Sequence, residues 1–190
     1  MQSVIAYKRD DFNRYQLILD LPPAIKKRFA NARAKLDALF RGITLPGGHP
    51  FIYLAAFSGY ETKETSWLSE LHKVALGMMP FKVHLKNFAL GNGDELYIDI
   101  AEKIVIQKII EKISRIQHHW SDARLNPLPR ITLVKGLYHW QLEKCWPYFE
   151  KEVFRSSFIM NRMLLLKQMP GFRSWQIERS FLFENQFIQE

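Results

Sequence analysis

Pro129-Arg130-Ile131-Thr132-Leu133, followed by Val134-Lys135, is the segment best equipped for chemistry. Residues two apart on a strand share a face, so Arg130 and Thr132 project together and Lys135 follows at the strand's end. A guanidinium fork beside a hydroxyl makes a receptor for phosphate oxygens, because charge-assisted hydrogen bonds from Arg are strong and directional. A sister segment, Pro50-Phe51-Ile52-Tyr53-Leu54, lies 79 residues earlier. It puts Phe51 and Tyr53 where the later segment has Arg130 and Thr132. Tyr53 there can stack on a base, or it can join Phe51 in plugging the space between the strands. In both segments the alternate residues, Ile52 and Leu54 or Ile131 and Leu133, are aliphatic and belong under helices.

The same 79-residue offset carries Leu17-Ile18-Leu19-Asp20-Leu21 onto Leu96-Tyr97-Ile98-Asp99-Ile100, Trp67 onto Trp146 and Leu85 onto Leu164. One gapless offset across these landmarks predicts one structural unit used twice and related by a pseudo-twofold axis. The expected organisation is a single bilobal domain over 1–190, with repeat units at about 15–93 and 94–183. Each unit reads as strand, helix, motif strand, helix, strand. Strands are expected at 15–21, 50–57, 81–88, 95–100, 130–134, 162–167 and 174–183, from alternation and β-forming residues. Helices are expected at about 22–40, 61–76, 102–120 and 140–155, from apolar spacing. The third carries a stripe of Ile104, Val105, Ile109, Ile113 and Ile116, and the fourth one of Leu142, Trp146, Phe149 and Val153. Gly91-Asn92-Gly93-Asp94 is a hairpin turn signal. The fold class is α+β, with two antiparallel sheets around a central cleft.

These motifs resemble the 2H phosphoesterase superfamily, which includes the 2'-5' RNA ligase and cyclic phosphodiesterase proteins. The resemblance spans about Tyr15 to Phe183. In that family each lobe presents a strand reading Pro-His-hydrophobic-Thr/Ser-hydrophobic, and the substrates are 2',3'-cyclic phosphates or 2'-5' linkages, processed without a metal. The resemblance implies two imidazoles flanking a phosphate, one as general base and one as general acid, a task suited to their near-neutral pKa. Here the first His position is Phe51, the first hydroxyl position Tyr53, and the second His position Arg130; only Thr132 is retained. Arg stays protonated and cannot exchange protons near neutrality. What remains is an anion clamp of Arg130, Thr132 and Tyr53. A register with His49 as the motif imidazole is the alternative, but it lacks the hydroxyl two residues on and breaks the offset.

The formal charge of +8 over 190 residues favours an anionic partner, RNA or a nucleotide phosphate. The single Cys145 excludes an internal disulfide framework and suits a reducing cytoplasm. No apolar stretch near Met1–Asp10 suggests a signal peptide, and no run suggests a membrane span. His118-His119 reads as a helix C-terminus. His72, His84 and His139 show no metal-ligand spacing, and neither a metal nor another cofactor is expected. Lys26, Lys27, Arg28, Arg33 and Lys35 read as a solvated helix face, and Asp20 and Asp99 as turn or cap residues. Three functions are in competition: a phosphate- or RNA-binding cleft that has lost two-histidine catalysis, an active cyclic phosphodiesterase using His49 and Arg130, and a protein-interaction module with a filled cleft.

Overall fold

The computed structural model describes residues 12–91 and 93–186. The Met1–Asp10 stretch and Asn92 of the turn signal lie outside them. Strand β1 (Phe12–Asp20) runs into Pro22-Pro23, where helix α1 (Pro23–Leu39) starts; Pro is tolerated there because the first helical turn needs no N–H partner. Strand β2 (Phe51–Tyr60), helix α2 (Glu64–Leu76) and strand β3 (Phe81–Gly91) complete the first half. Then come β4 (Glu95–Ile100), α3 (Lys103–Ser114), β5 (Ser121–Leu125), β6 (Ile131–Lys135), α4 (His139–Phe149), β7 (Ser156–Met160), β8 (Arg162–Gln168) and β9 (Gln176–Leu182).

Among the described residues these strands make two sheets, in the orders β5-β2-β1-β8-β9 and β6-β4-β3-β7, with every neighbouring pair antiparallel. The class is α+β, as the motif pattern implies. The motif strands β2 and β6 stand in different sheets. Each sheet draws on both sequence halves, since β8 joins β1 and β3 joins β4. The halves are interleaved rather than laid side by side.

Strand pairing repeats with the offset. Gln16 faces Ala56, Leu17 faces Ala55, and a bulge precedes Ile18 facing Tyr53. Glu95 faces Lys135, Leu96 faces Val134, and a bulge precedes Tyr97 facing Thr132. The second set is the first moved along by 79 positions. The extra residue in each bulge, Leu54 or Leu133, is fully buried. A bulge re-aims neighbouring side chains, and the two here do so on equivalent strands.

Two helices end earlier than their apolar spacing predicts. α3 stops at Ser114, and a 3-10 turn at Gln117–His119 leads into β5. Burial of Trp120, stacked on Phe57 at 3.9 Å, overrides continued helix here. His118 and His119 therefore sit in the turn. The buried stripe of α3 is Ile106, Ile109, Ile110 and Ile113, while Ile104 is 70% exposed. α4 contains Pro147, which cannot supply a helical N–H and crowds the preceding turn. It ends at Phe149, Val153 is 65% exposed, and the chain continues into β7. Of the predicted hairpin turn, Gly93 has φ +77° and the Asp94 N–H donates to the Gly91 carbonyl at 3.2 Å. No helix among the described residues is long and apolar enough to cross a membrane.

Asp20 and Asp99 close equivalent strands onto the helices that follow, pairing with Lys26 at 2.7 Å and Lys103 at 2.6 Å. Partial burial works to raise the Asp99 pKa, but the Lys103 ammonium and the Ile100 N–H outweigh it and hold the carboxyl below its ordinary value. A carboxylate depressed in the folded state stabilises above its unfolded pKa, and the contribution is lost as pH falls through the folded value. Asp99→Asn should therefore lower stability in urea titrations near neutral pH. The gap from the parent should close as pH falls through the carboxyl's depressed folded value.

Candidate functional site

The site begins with a loop. Leu45 to His49 runs from α1 to β2 along the free edge of β6. The His49 N–H donates to the Thr132 carbonyl at 3.0 Å, so the loop adds to the edge of the opposite sheet. Gly48 makes this approach possible: a Cβ there would lie 2.0 Å from the Leu133 oxygen and 2.7 Å from the Thr132 oxygen. Arg33 fixes the loop from beneath. Its guanidinium donates to the carbonyls of Leu45 (3.2 Å), Pro46 (2.6 Å) and Leu133 (3.2 Å), and it is ion-paired to Asp37. Arg33 is thus a clamp between α1, the loop and β6, not part of a solvated helix face. Within one helical run of basic residues, nothing in the sequence sets it apart.

Between the two sheets lies a cavity of about 390 Å³, lined from one side by His49, Phe51 and Tyr53 and from the other by Arg130, Thr132 and Lys135. Ile52, Leu54, Ile131 and Leu133 are buried beneath it, as strand alternation requires. The structure therefore brings together all six residues singled out in the motifs. Gln16, Gly47, Glu95 and the segment Leu125–Leu128 complete the lining.

The rings do not fill the space. His49 stacks on Phe51 with centroids 5.1 Å apart and planes at 20°. Burial lowers the His49 pKa, which leaves a neutral imidazole at physiological pH. Tyr53 donates its hydroxyl to the Arg124 carbonyl at 3.3 Å, and burial raises its pKa, so it is a neutral phenol. Asn126 holds the neighbouring loop: its amide donates to the Tyr53 carbonyl at 2.7 Å, its N–H to Leu54, and its side-chain oxygen accepts from Leu128 N. The Asn126-Pro127 pair is a turn signal that could have marked this residue.

The cationic wall is already engaged. Arg130 Nη2 lies 2.5 Å from Glu95 Oε2, and Thr132 Oγ1 donates to Glu95 Oε1 at 2.7 Å. Arg130 is 17% and Glu95 1% exposed at the side chain. The guanidinium also lies over the Tyr97 ring at 4.9 Å. Gly91 leaves it room, since a Cβ there would come within 3.3 Å of Arg130 Nη1. Glu95 had no chemical marker in the sequence beyond being the first residue of a strand. Lys135 stands exposed at the rim and has no carboxylate partner among the described residues.

The remaining candidates are elsewhere. His84 pairs with Glu102 at 2.5 Å, His139 with Glu143 at 3.2 Å, and His118 and His119 pack on each other. Cys145 is buried and free. No group of three His, Cys, Asp or Glu side chains is placed to hold a metal among the described residues.

No protein-family model matches the sequence, and no curated protein matches it either. Solved structures do. Escherichia coli LigT with 3'-AMP superposes with a TM-score of 0.67 over 91% of this chain and 99% of that one, at 14% identity. TT0787 of Thermus thermophilus superposes at 0.64 over 92% of this chain and 100% of that one, at 15% identity. The chain has the LigT-like 2H phosphoesterase fold. At such identities the likeness is one of fold, and chemistry must be argued from the side chains present. The one imidazole lining the cavity among the described residues, His49, reaches it from the loop before β2.

The loop contact carries a test. Gly48→Ala should push the loop off β6 and cost about 1–3 kcal/mol, the usual range for forced overpacking. Gly47→Ala, whose Cβ would meet nothing within 4 Å, should leave the urea midpoint close to the parent's.

Proposed function

We propose that the cleft binds a phosphate-bearing ligand of nucleotide or RNA type and does not carry two-histidine catalysis. The observation behind this reading is an open cavity lined by both motif strands, with an aromatic wall of His49, Phe51 and Tyr53 and cations at Arg130 and Lys135. Its size lies within the ordinary range for small-ligand sites. Rings can stack on a base, and an exposed ammonium can meet a phosphate without breaking an existing ion pair. LigT, which shares the fold, has been crystallised with 3'-AMP, NADP+, ATP and phosphate. An open cavity argues against the reading of a cleft filled by Phe51 and Tyr53. The free, buried Cys145 suits a reducing cytoplasm, where such ligands occur.

Two-histidine chemistry needs a second proton-exchanging group across the phosphate, and Arg130 cannot serve. One observation favours the second reading, an active phosphodiesterase: His49 is a neutral imidazole on the cavity wall, fit to act as a base.

Calorimetry with 3'-AMP should show binding that weakens as salt rises. Lys135→Ala should weaken it about tenfold, the loss of one charge-assisted contact. Arg130→Ala is a poorer probe, since it strands buried Glu95 and should cost about 3–5 kcal/mol of stability. Incubation with a 2',3'-cyclic nucleotide should give no hydrolysis above a protein-free control. Turnover abolished by His49→Ala would replace the binding reading with the enzymatic one.

A further inference from the structure

Glu95 is the group in the cleft that neither motif accounts for. Its carboxylate accepts from Thr132 at 2.7 Å and lies 2.5 Å from Arg130, the arrangement a bound phosphate's oxygens would otherwise take up. The Thr132 hydroxyl has one proton, and it is given to Glu95, so it is not available to a ligand. The fold does not demand a carboxylate here. Gln16 is the equivalent residue by the 79-residue offset and by strand pairing, and it lines the same cavity as a neutral amide.

The charge balance of the lining follows. Arg130 and Lys135 bring two positive charges and Glu95 removes one, while the other lining residues are neutral with His49 unprotonated. The cavity is thus matched to one negative charge. A second charge on the ligand would be repelled by the Glu95 carboxylate, which lines the same cavity.

We infer that Glu95 is a specificity-determining residue: a resident anion on Arg130 and Thr132 that makes the cleft accept a singly charged phosphate ester over a doubly charged one. This rests on the reading of the cleft as a phosphate site. Glu95 acts on the ligand through charge, and its role is separate from merely holding Arg130 in place.

The test compares adenosine 3'-phosphate with its methyl ester near pH 8, where the first carries about two charges and the second one. The parent chain should bind the methyl ester at least as tightly as the free phosphate. Glu95→Gln keeps the shape and an acceptor for Thr132. It should tighten the free phosphate about tenfold, roughly the effect of removing one nearby like charge, and the methyl ester distinctly less. Gln16→Glu, on the other wall, should weaken the free phosphate more than the ester. If Glu95→Gln weakens both ligands equally, Glu95 only positions Arg130 and the inference is overturned. An unchanged ratio of the two affinities in both variants overturns it as well. Binding of neither ligand to any of the three proteins would remove the phosphate-site reading, and this inference with it.

Discussion

The cleft depends on one backbone contact, the docking of the Leu45–His49 loop against the edge of β6. There the first sheet's motif strand is delivered to the second sheet's motif strand, and a single hydrogen bond from His49 N to the Thr132 carbonyl sets their spacing. Gly48 is needed because its neighbour is backbone, which cannot rotate away as a side chain can. Arg33 supplies the donors that the loop's carbonyls and the β6 edge would otherwise lack. An edge strand with unpaired groups is open to unwanted pairing, so the loop protects β6 while it shapes the site.

Around that contact the two sheets repeat one pairing scheme, bulge included, and the side chains placed by it differ in kind. One wall receives Gln16, Phe51 and Tyr53, the other Glu95, Arg130 and Thr132. The backbone is close to symmetric there and the chemistry is not. A symmetric pair of imidazoles would trade a proton across a ligand. Here an aromatic wall faces an Arg–Glu–Thr cluster instead. The buried Arg130–Glu95 pair also has an energetic consequence: each charge is tolerable in the low-dielectric floor because the other is present. The free positive charge of the cleft is thereby moved out to Lys135 at its rim.

Much of this was legible in the chain. The 79-residue offset, the alternation in 51–54 and 131–133 and the turn after Gly91 are local patterns, and local geometry alone dictates which side chains share a face. They were enough to indicate the α+β class, two sheets, a cleft and five of its lining residues. The misjudged ends of α3 and α4 have a different origin. Helical spacing continues in the sequence to Trp120 and Val153, but Trp120 gains more by stacking on Phe57, and the second run, weakened by the missing N–H of Pro147, ends at Phe149.

The residues that tertiary structure alone decided are those whose role is a partnership across sequence distance. Arg33 belongs to a basic helical run until its guanidinium is seen beneath a loop and a strand a hundred positions away. Glu95 is an ordinary strand residue until Arg130 and Thr132 close on it. His49 breaks the motif register, yet the loop carries it into the cavity all the same. Periodicity determines the face a side chain occupies, because that depends on backbone geometry within a few residues. Whether a charge on that face stays free for a ligand or is neutralised by a neighbour depends on which strands are brought together, and only the assembled sheets settle it.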